Sequence, residues 1–167
     1  GGTVAFGNTV NAATVGQQAL TVSVNATFAN TVGASTALRA LSVGGTTAIN
    51  TTSIVTTNAG GGTGNQTYTG AVTLGTGNGT TVALTNTGGT VAFGSTVNAA
   101  TVGQQALTMS SNATFANTVG ATTALRALSV SGTTAMNTTS IVTSNAGGGT
   151  GNQTYTGAVT LGTGNGT

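Results

Sequence analysis

The chain repeats itself with a period of 87 residues. Residues 1–80 align with residues 88–167 without a gap, and 73 of the 80 positions are identical. The seven differences are Asn8/Ser95, Val22/Met109, Val24/Ser111, Ser35/Thr122, Gly44/Ser131, Ile49/Met136 and Thr57/Ser144, all exchanges between uncharged residues. Tandem repetition this close restricts the fold to architectures in which each unit rests mainly on its neighbours. The expected organisation is one unit over residues 1–87 and a second over 88–167, joined in one continuous rod. The second unit stops seven residues short of a full period, as expected of a window on a longer array.

A shorter period lies inside each unit. Large apolar or aromatic residues recur at Phe6, Phe28, Ile49, Tyr68 and Phe93. Their steps are unequal but average roughly 22 residues, within the range of repeat lengths typical of solenoids. Between these anchors run short alternations such as Leu20–Val22–Val24, Leu41–Val43 and Val82–Leu84. Period-2 alternation sends one set of side chains to one face of a strand, and Val, Ile, Thr, Tyr and Phe suit pleated strands. The alternating runs are separated by NAGGGTGN at 58–65 and GTGNG at 75–79, compositions that tolerate tight corners. The nearest approach to a helical pattern, TALRALSV, is short and framed by Gly33 and Gly44. The prediction is an all-β solenoid of about eight coils of roughly 22 residues, four per unit, because one such coil cannot bury its apolar face alone. Phe6, Phe28, Ile49 and Tyr68 are expected to pile in one interior column. Thr is expected outside, and Asn at equivalent corners is expected to form ladders.

Composition then removes most chemistry. Charged residues make up 1% of the chain, against about 25% in ordinary domains. Asp, Glu, Lys, His, Cys, Pro and Trp are all absent. General acid–base catalysis has only Tyr68 and Tyr155 to draw on, and no side-chain base exists to activate a Ser or Thr. Divalent metals lack carboxylate, imidazole or thiolate ligands. The expected chain is therefore not an enzyme and has no catalytic, cofactor-binding or metal site. Arg39 and Arg126 account for the basic pI and are too few for a phosphate-binding stripe, so no nucleic-acid partner is expected. No apolar run is long enough for a membrane span, and strands this short with 4% aromatics do not suit a membrane barrel. The opening GGTVAFGNTV lacks the character of a secretion signal, which is expected to lie outside this stretch. Low charge with 37% apolar residues and a mean hydropathy of +0.25 argues for an ordered chain.

The remaining motifs read as structure. GGGTGNQ and GTGNGT lack the Lys and the strand–loop–helix setting of a phosphate loop and are expected at corners. Sequons at Asn25, Asn50, Asn65 and Asn78 arise readily in a chain with 16 Asn and 41 Thr. Arg39 and Arg126 are one residue seen twice, expected to lie solvated over Leu or Thr. Tyr68 and Tyr155 are expected to fill anchor positions with their hydroxyls hydrogen-bonded.

The runs TALRALSV, GTTAINTTSIVT and GNQTYTGAVTLG resemble repeats of the filamentous-haemagglutinin-like and autotransporter-type bacterial surface adhesins, and the resemblance covers essentially the whole chain. It implies a right-handed parallel β-helix stalk, export across the outer membrane, an extracellular or cell-surface location, and a role in adhesion, aggregation or biofilm. No catalytic residues carry over. The implied partners are neighbouring repeats, other copies of the chain joined in fibres, and a host or surface receptor of unspecified chemistry. Two alternatives follow from the residues: a self-assembling filament subunit, favoured by low charge and open sheet edges, and an ice-binding face built from Thr arrays.

Overall fold

The computed structural model describes residues 1–162. Among them the chain forms seventeen β-strands and no helix. All strand pairings are parallel. The strands are short and interrupted by Gly- and Asn-containing corners, and none folds back as a hairpin partner of its neighbour. Each pairs instead with the strand one turn away, which makes a β-solenoid with three faces.

The first face stacks β1 (Thr3–Phe6), β3 (Asn25–Phe28), β5 (Thr47–Ile49), β8 (Val72–Leu74) and β11 (Val97–Ala99). Single bridges through Val119 and Ile141 continue it. The second face begins with bridges through Val10 and Val32. It continues with β6 (Ser53–Thr57), β9 (Thr81–Thr87), β12 (Ala106–Met109), β14 (Leu128–Val130) and β16 (Gln153–Tyr155). The third stacks β2 (Ala19–Val22), β4 (Ala40–Val43), β7 (Gln66–Tyr68), β10 (Thr90–Phe93), β13 (Asn112–Phe115), β15 (Thr134–Met136) and β17 (Val159–Leu161). The chain visits the faces in that order throughout. Starting at Val4, successive turns return it to the first face at Ala26, Thr47, Val72, Val97, Val119 and Ile141.

The expected count of about eight coils is not reached: the described residues make about six full turns from β1 to the Ile141 bridge, with seven rungs on each face. The reason is register. Counting faces from Thr3 to Thr87 gives eleven, which is three full turns and two further faces. The 87-residue unit is not a whole number of turns, so identical sequences land on different faces. TVAF occupies the first face at Thr3–Phe6 and the third at Thr90–Phe93; QTY occupies the third at Gln66–Tyr68 and the second at Gln153–Tyr155. The step from Ile49 to Tyr68 is two-thirds of a turn. Phe6, Phe28 and Ile49 do pile in one column, but the next rung is Leu74, not Tyr68. Tyr68 belongs to a second column with Val43, Phe93, Phe115 and Met136.

Within a strand, burial alternates as the period-2 reading requires. β4, β7, β10 and β14 each follow a pattern of buried residues separated by half-buried ones. The interior is a thin apolar column in which Phe28, Val43, Ile49, Tyr68, Leu74, Leu84 and Phe115 are fully buried. Rung spacing of about 4.8 Å forces like rings into near-parallel offset stacks. Phe6 and Phe28 have centroids 5.1 Å apart at 10°, Tyr68 and Phe93 5.4 Å at 14°, and Phe93 and Phe115 5.5 Å at 5°.

Corners are closed by Asn, but not in the expected Asn-on-Asn ladders. The side-chain oxygens of Asn25, Asn65 and Asn112 each accept a backbone N–H from the adjacent turn, at Thr46, Thr90 and Thr133, all at 3.0 Å. Asn11 and Asn98 each accept two, from Ser35 and Thr36 and from Thr122 and Thr123. One side chain thus satisfies the amides a bent backbone would orphan. Gly33 and Gly120 sit at equivalent bends with φ of +68°, and a Cβ there would lie 2.1 Å from the carbonyl oxygen of Val55 or Val142. Backbone conformation and close approach both require glycine.

One inter-unit difference follows from its surroundings. Ser111, which replaces Val24, donates its hydroxyl to the Asn86 side chain and to the Gly89 carbonyl (3.1 Å), and the adjacent Ser110 hydroxyl accepts the Asn86 N–H at 3.0 Å. Asn86 is 3% exposed; these serines meet its backbone N–H and side-chain oxygen at the junction between units, while its side-chain nitrogen has no partner among the described residues.

Phe28→Ala should lower stability by about 3–5 kcal/mol, whereas Thr27→Ala, on the outer side of the same strand, should change it by less than about 0.5 kcal/mol. Equilibrium denaturation checks both; equal effects would contradict the assigned faces.

Candidate functional site

The polar groups inside the rod centre on Gln66 and Tyr68. Two positions apart on β7, they point to the same side, and both are fully buried. The Tyr68 hydroxyl donates to the Gln66 side-chain oxygen at 3.0 Å. The Gln66 amide nitrogen donates across the interior to the second face, to the carbonyls of Ile54 (3.3 Å) and Thr85 (3.1 Å) and to the Thr56 hydroxyl (3.3 Å). Thr56 in turn donates to the Gly64 carbonyl at 2.6 Å. The cluster ties the second face to the third through two adjacent turns. The second unit repeats it: Tyr155 donates to Gln153 at 3.1 Å, and Gln153 to the Ile141 carbonyl at 3.1 Å and the Thr143 hydroxyl at 3.4 Å. There Gln153 is exposed, because it lies on the outermost described turn.

Both tyrosines fill anchor positions with bonded hydroxyls, as the sequence suggested. Burial pushes the ionisation of Tyr68 far above its ordinary value of 10.0, and that of half-buried Tyr155 in the same direction. Neither hydroxyl is poised as an acid or base near neutrality. Sequence reading does not single out Gln66 and Gln153. The signal is the Gln-x-Tyr spacing on a strand, which places an amide and a phenol side by side on the inner face.

Arg39 is exposed, as expected, and Arg126 is half-buried. The stem of each also runs against a glycine: a Cβ on Gly62 or Gly149 would approach the arginine Cγ to 2.1 Å. Arg126 Nη2 donates to the Thr81 hydroxyl at 3.0 Å, and its Nε is buried with no partner among the described residues. Because the unit spans eleven faces, Arg39 precedes a strand of the third face and Arg126 a strand of the second. The fold therefore turns the two cations to different sides of the rod. The Gly-rich runs 58–65 and 75–79 connect β6 to β7 and β8 to β9, at corners. Of the sequons, Asn25 and Asn65 use their side-chain oxygens in the corner bonds above, and Asn50 and Asn78 are exposed.

On the third face the outward column reads Thr21, Ser42, Thr67, Ala92, Thr114, Ala135 and Thr160. Small side chains line it, but the Thr array is broken at three of seven rungs. The described residues also leave an open cavity of about 510 Å³ at the C-terminal end, lined by Met136, Thr138, Ser140, Ile141, Gln153 and Leu161 among others. Its walls are half-buried and exposed side chains of the last described turns.

No family model matches the chain, and neither a curated protein nor a solved structure matches it.

The tyrosines dominate the response to pH. The sequence has no side-chain carboxylate, imidazole, thiol or ammonium group. Above pH 10 the unfolded chain releases phenolic protons that the folded chain retains, so stability falls as pH rises; below the ordinary tyrosine value the contribution is complete. Calorimetry should give a constant melting temperature from about pH 4 to pH 9 and a decline above about pH 10. Tyr68→Phe with Tyr155→Phe should flatten that decline. Loss of structure in mild acid would contradict the assignment.

Proposed function

We propose that the chain is a structural segment of a secreted or surface-anchored bacterial adhesin or extracellular fibre, a stiff stalk that supports adhesion or biofilm formation, wound as a right-handed parallel β-helix. The observation that carries this reading is the absence of any break between units. β9, the last strand of the first unit, is paired on one side with β6 of its own unit and on the other with β12 of the second. β10, the first strand of the second unit, pairs back onto β7. Length is then a direct product of repeat number: each unit adds three and two-thirds turns, or about 18 Å of rod at normal strand spacing.

Three further features support a structural role. The buried Gln66, Tyr68 and Thr56 side chains hold two faces together. The side chains of the outward column on the third face are small and uncharged. The two arginines are turned to different sides instead of converging. The residues assign no catalytic activity, cofactor or metal to this stretch. The broken Thr column on the third face does not favour ice binding over the stalk reading.

Electron microscopy of chains carrying two, four and eight units should show straight rods that lengthen by about 18 Å per unit. Immunolabelling of the source cell should find the protein outside it. Rods of constant length, or label confined to the cytoplasm, would overturn the proposal.

A further inference from the structure

A backbone amide becomes a nucleophile most readily where glycine follows asparagine, because no Cβ on the glycine hinders its approach to the Asn side chain. The glycine nitrogen bonds to Cγ, the bond from Cγ to Nδ2 breaks, and ammonia leaves with the proton that the glycine nitrogen gives up. Water then opens the resulting succinimide at either carbonyl and leaves aspartate or isoaspartate. The sequence has 16 Asn but only two Asn-Gly pairs, Asn78–Gly79 and Asn165–Gly166. The second lies outside the described residues. The first lies on the corner between β8 and β9, and both of its residues are exposed.

Exposure alone would leave this pair free to react, but its attacking nitrogen is held. The Gly79 N–H donates to the Gln104 backbone carbonyl and to the Gln104 Oε1, each at 3.1 Å. An amide proton shared between two acceptors is not readily given up, and the direction of the nitrogen is set by Gln104. The donor it meets requires Gln104 to turn its oxygen, not its nitrogen, toward Gly79. The Gln104 side chain is confined from the other side as well: a Cβ on Gly147, in a later turn, would lie 2.4 Å from its Nε2. The rest of the corner is pinned. Gln105, 1% exposed, donates Nε2 to the Thr76 carbonyl at 2.8 Å. The Ala106 N–H donates to the Thr80 carbonyl at 2.9 Å. The Thr80 hydroxyl bridges the Thr76 hydroxyl (2.6 Å) and the Gly77 carbonyl (2.5 Å).

This latch crosses the junction between units. Gly79 belongs to the first unit, and Gln104 belongs to the second, one turn on, where β12 lies on β9. We propose that Asn78 is a latent modification site, latched by Gln104, whose side-chain amide becomes a carboxylate when these two turns separate. The product is a side-chain acid in a sequence that has no Asp or Glu, and it lowers the formal net charge of +2 by one. Folding protects the site and local opening exposes it, so the carboxylate accumulates in chains whose unit junction has come apart. The inference stands on the bonds across this junction and not on the location or stalk role proposed above.

Incubation of the 167-residue chain in mildly alkaline buffer, followed by peptide mass spectrometry, reads the conversion. A fragment running on to Leu84 identifies Asn78 rather than Asn165. In the folded chain Asn78 should convert about tenfold more slowly than in the same chain held unfolded in guanidinium. Gln104→Ala removes the side-chain acceptor and should raise the rate in the folded chain about fivefold, with circular dichroism unchanged. If that variant does not fold, amide hydrogen exchange in the parent chain reads the latch directly: the Gly79 N–H should exchange about tenfold more slowly than in the unfolded chain. Equal conversion in the folded and unfolded chains, a folded Gln104→Ala variant that converts at the parent rate, or unprotected exchange at Gly79 would each overturn the proposal.

Discussion

Parallel backbone pairing between successive turns is the constraint on which everything else in this molecule depends. Most strands have only three or four residues, too few to hold a sheet by their own side chains. Each becomes stable only as a rung between two others. That requirement sets what the interior accepts. A side chain must fit beneath a like-sized one about 4.8 Å away, and the rings of Phe6 on Phe28 and of Tyr68, Phe93 and Phe115 satisfy this as flat stacks. It also sets what the corners must do. Bends orphan amides, and Asn25, Asn65 and Asn112 bind those of the adjacent turn. The polar interior obeys the same logic, since Gln66 reaches two turns of the second face at once.

The class of fold was legible because two periods were visible at once. Alternation along short runs marked the strands, and the wider recurrence of bulky apolar residues marked the turn. Inside and outside followed for Phe28, Val43, Ile49 and Val82, all fully buried, but not for Val24, which lies past the end of β2 and is exposed. The phase of the longer period was not legible. Phe6, Phe28 and Ile49 are true successive rungs, but Tyr68 is an equally bulky residue on another face, and nothing in its identity marks the difference. Turn length also varies: the turn from Thr47 to Val72 is longer than the one from Ala26 to Thr47. Corners such as 58–65 absorb the extra chain by bulging outward without disturbing the stack. An average spacing therefore blurs two-thirds of a turn into a whole one. The Gln-x-Tyr pair was hidden for a related reason: a buried amide reads as a surface residue until its cross-rod partners are known.

The mismatch between the 87-residue unit and the turn has a physical consequence. A unit of eleven faces in a three-faced rod brings the same segment to a new face each time it recurs. TVAF is seated among first-face strands in one unit and third-face strands in the next, and is tolerated in both. The three faces must therefore be near-equivalent seats for such segments. It also distributes surface features, Arg39 and Arg126 among them, around the axis instead of along one side. A rod built this way has no privileged face, which suits a stalk better than a one-sided binding platform.

The register of β7 discriminates most directly between this account and its nearest rival. Backbone NOEs from Gln66–Tyr68 should run to Leu41–Val43 on one side and to Val91–Phe93 on the other. Backbone NOEs from Tyr68 to Ile49 instead would place the two in one column, make the unit a whole number of turns, and contradict the fold described.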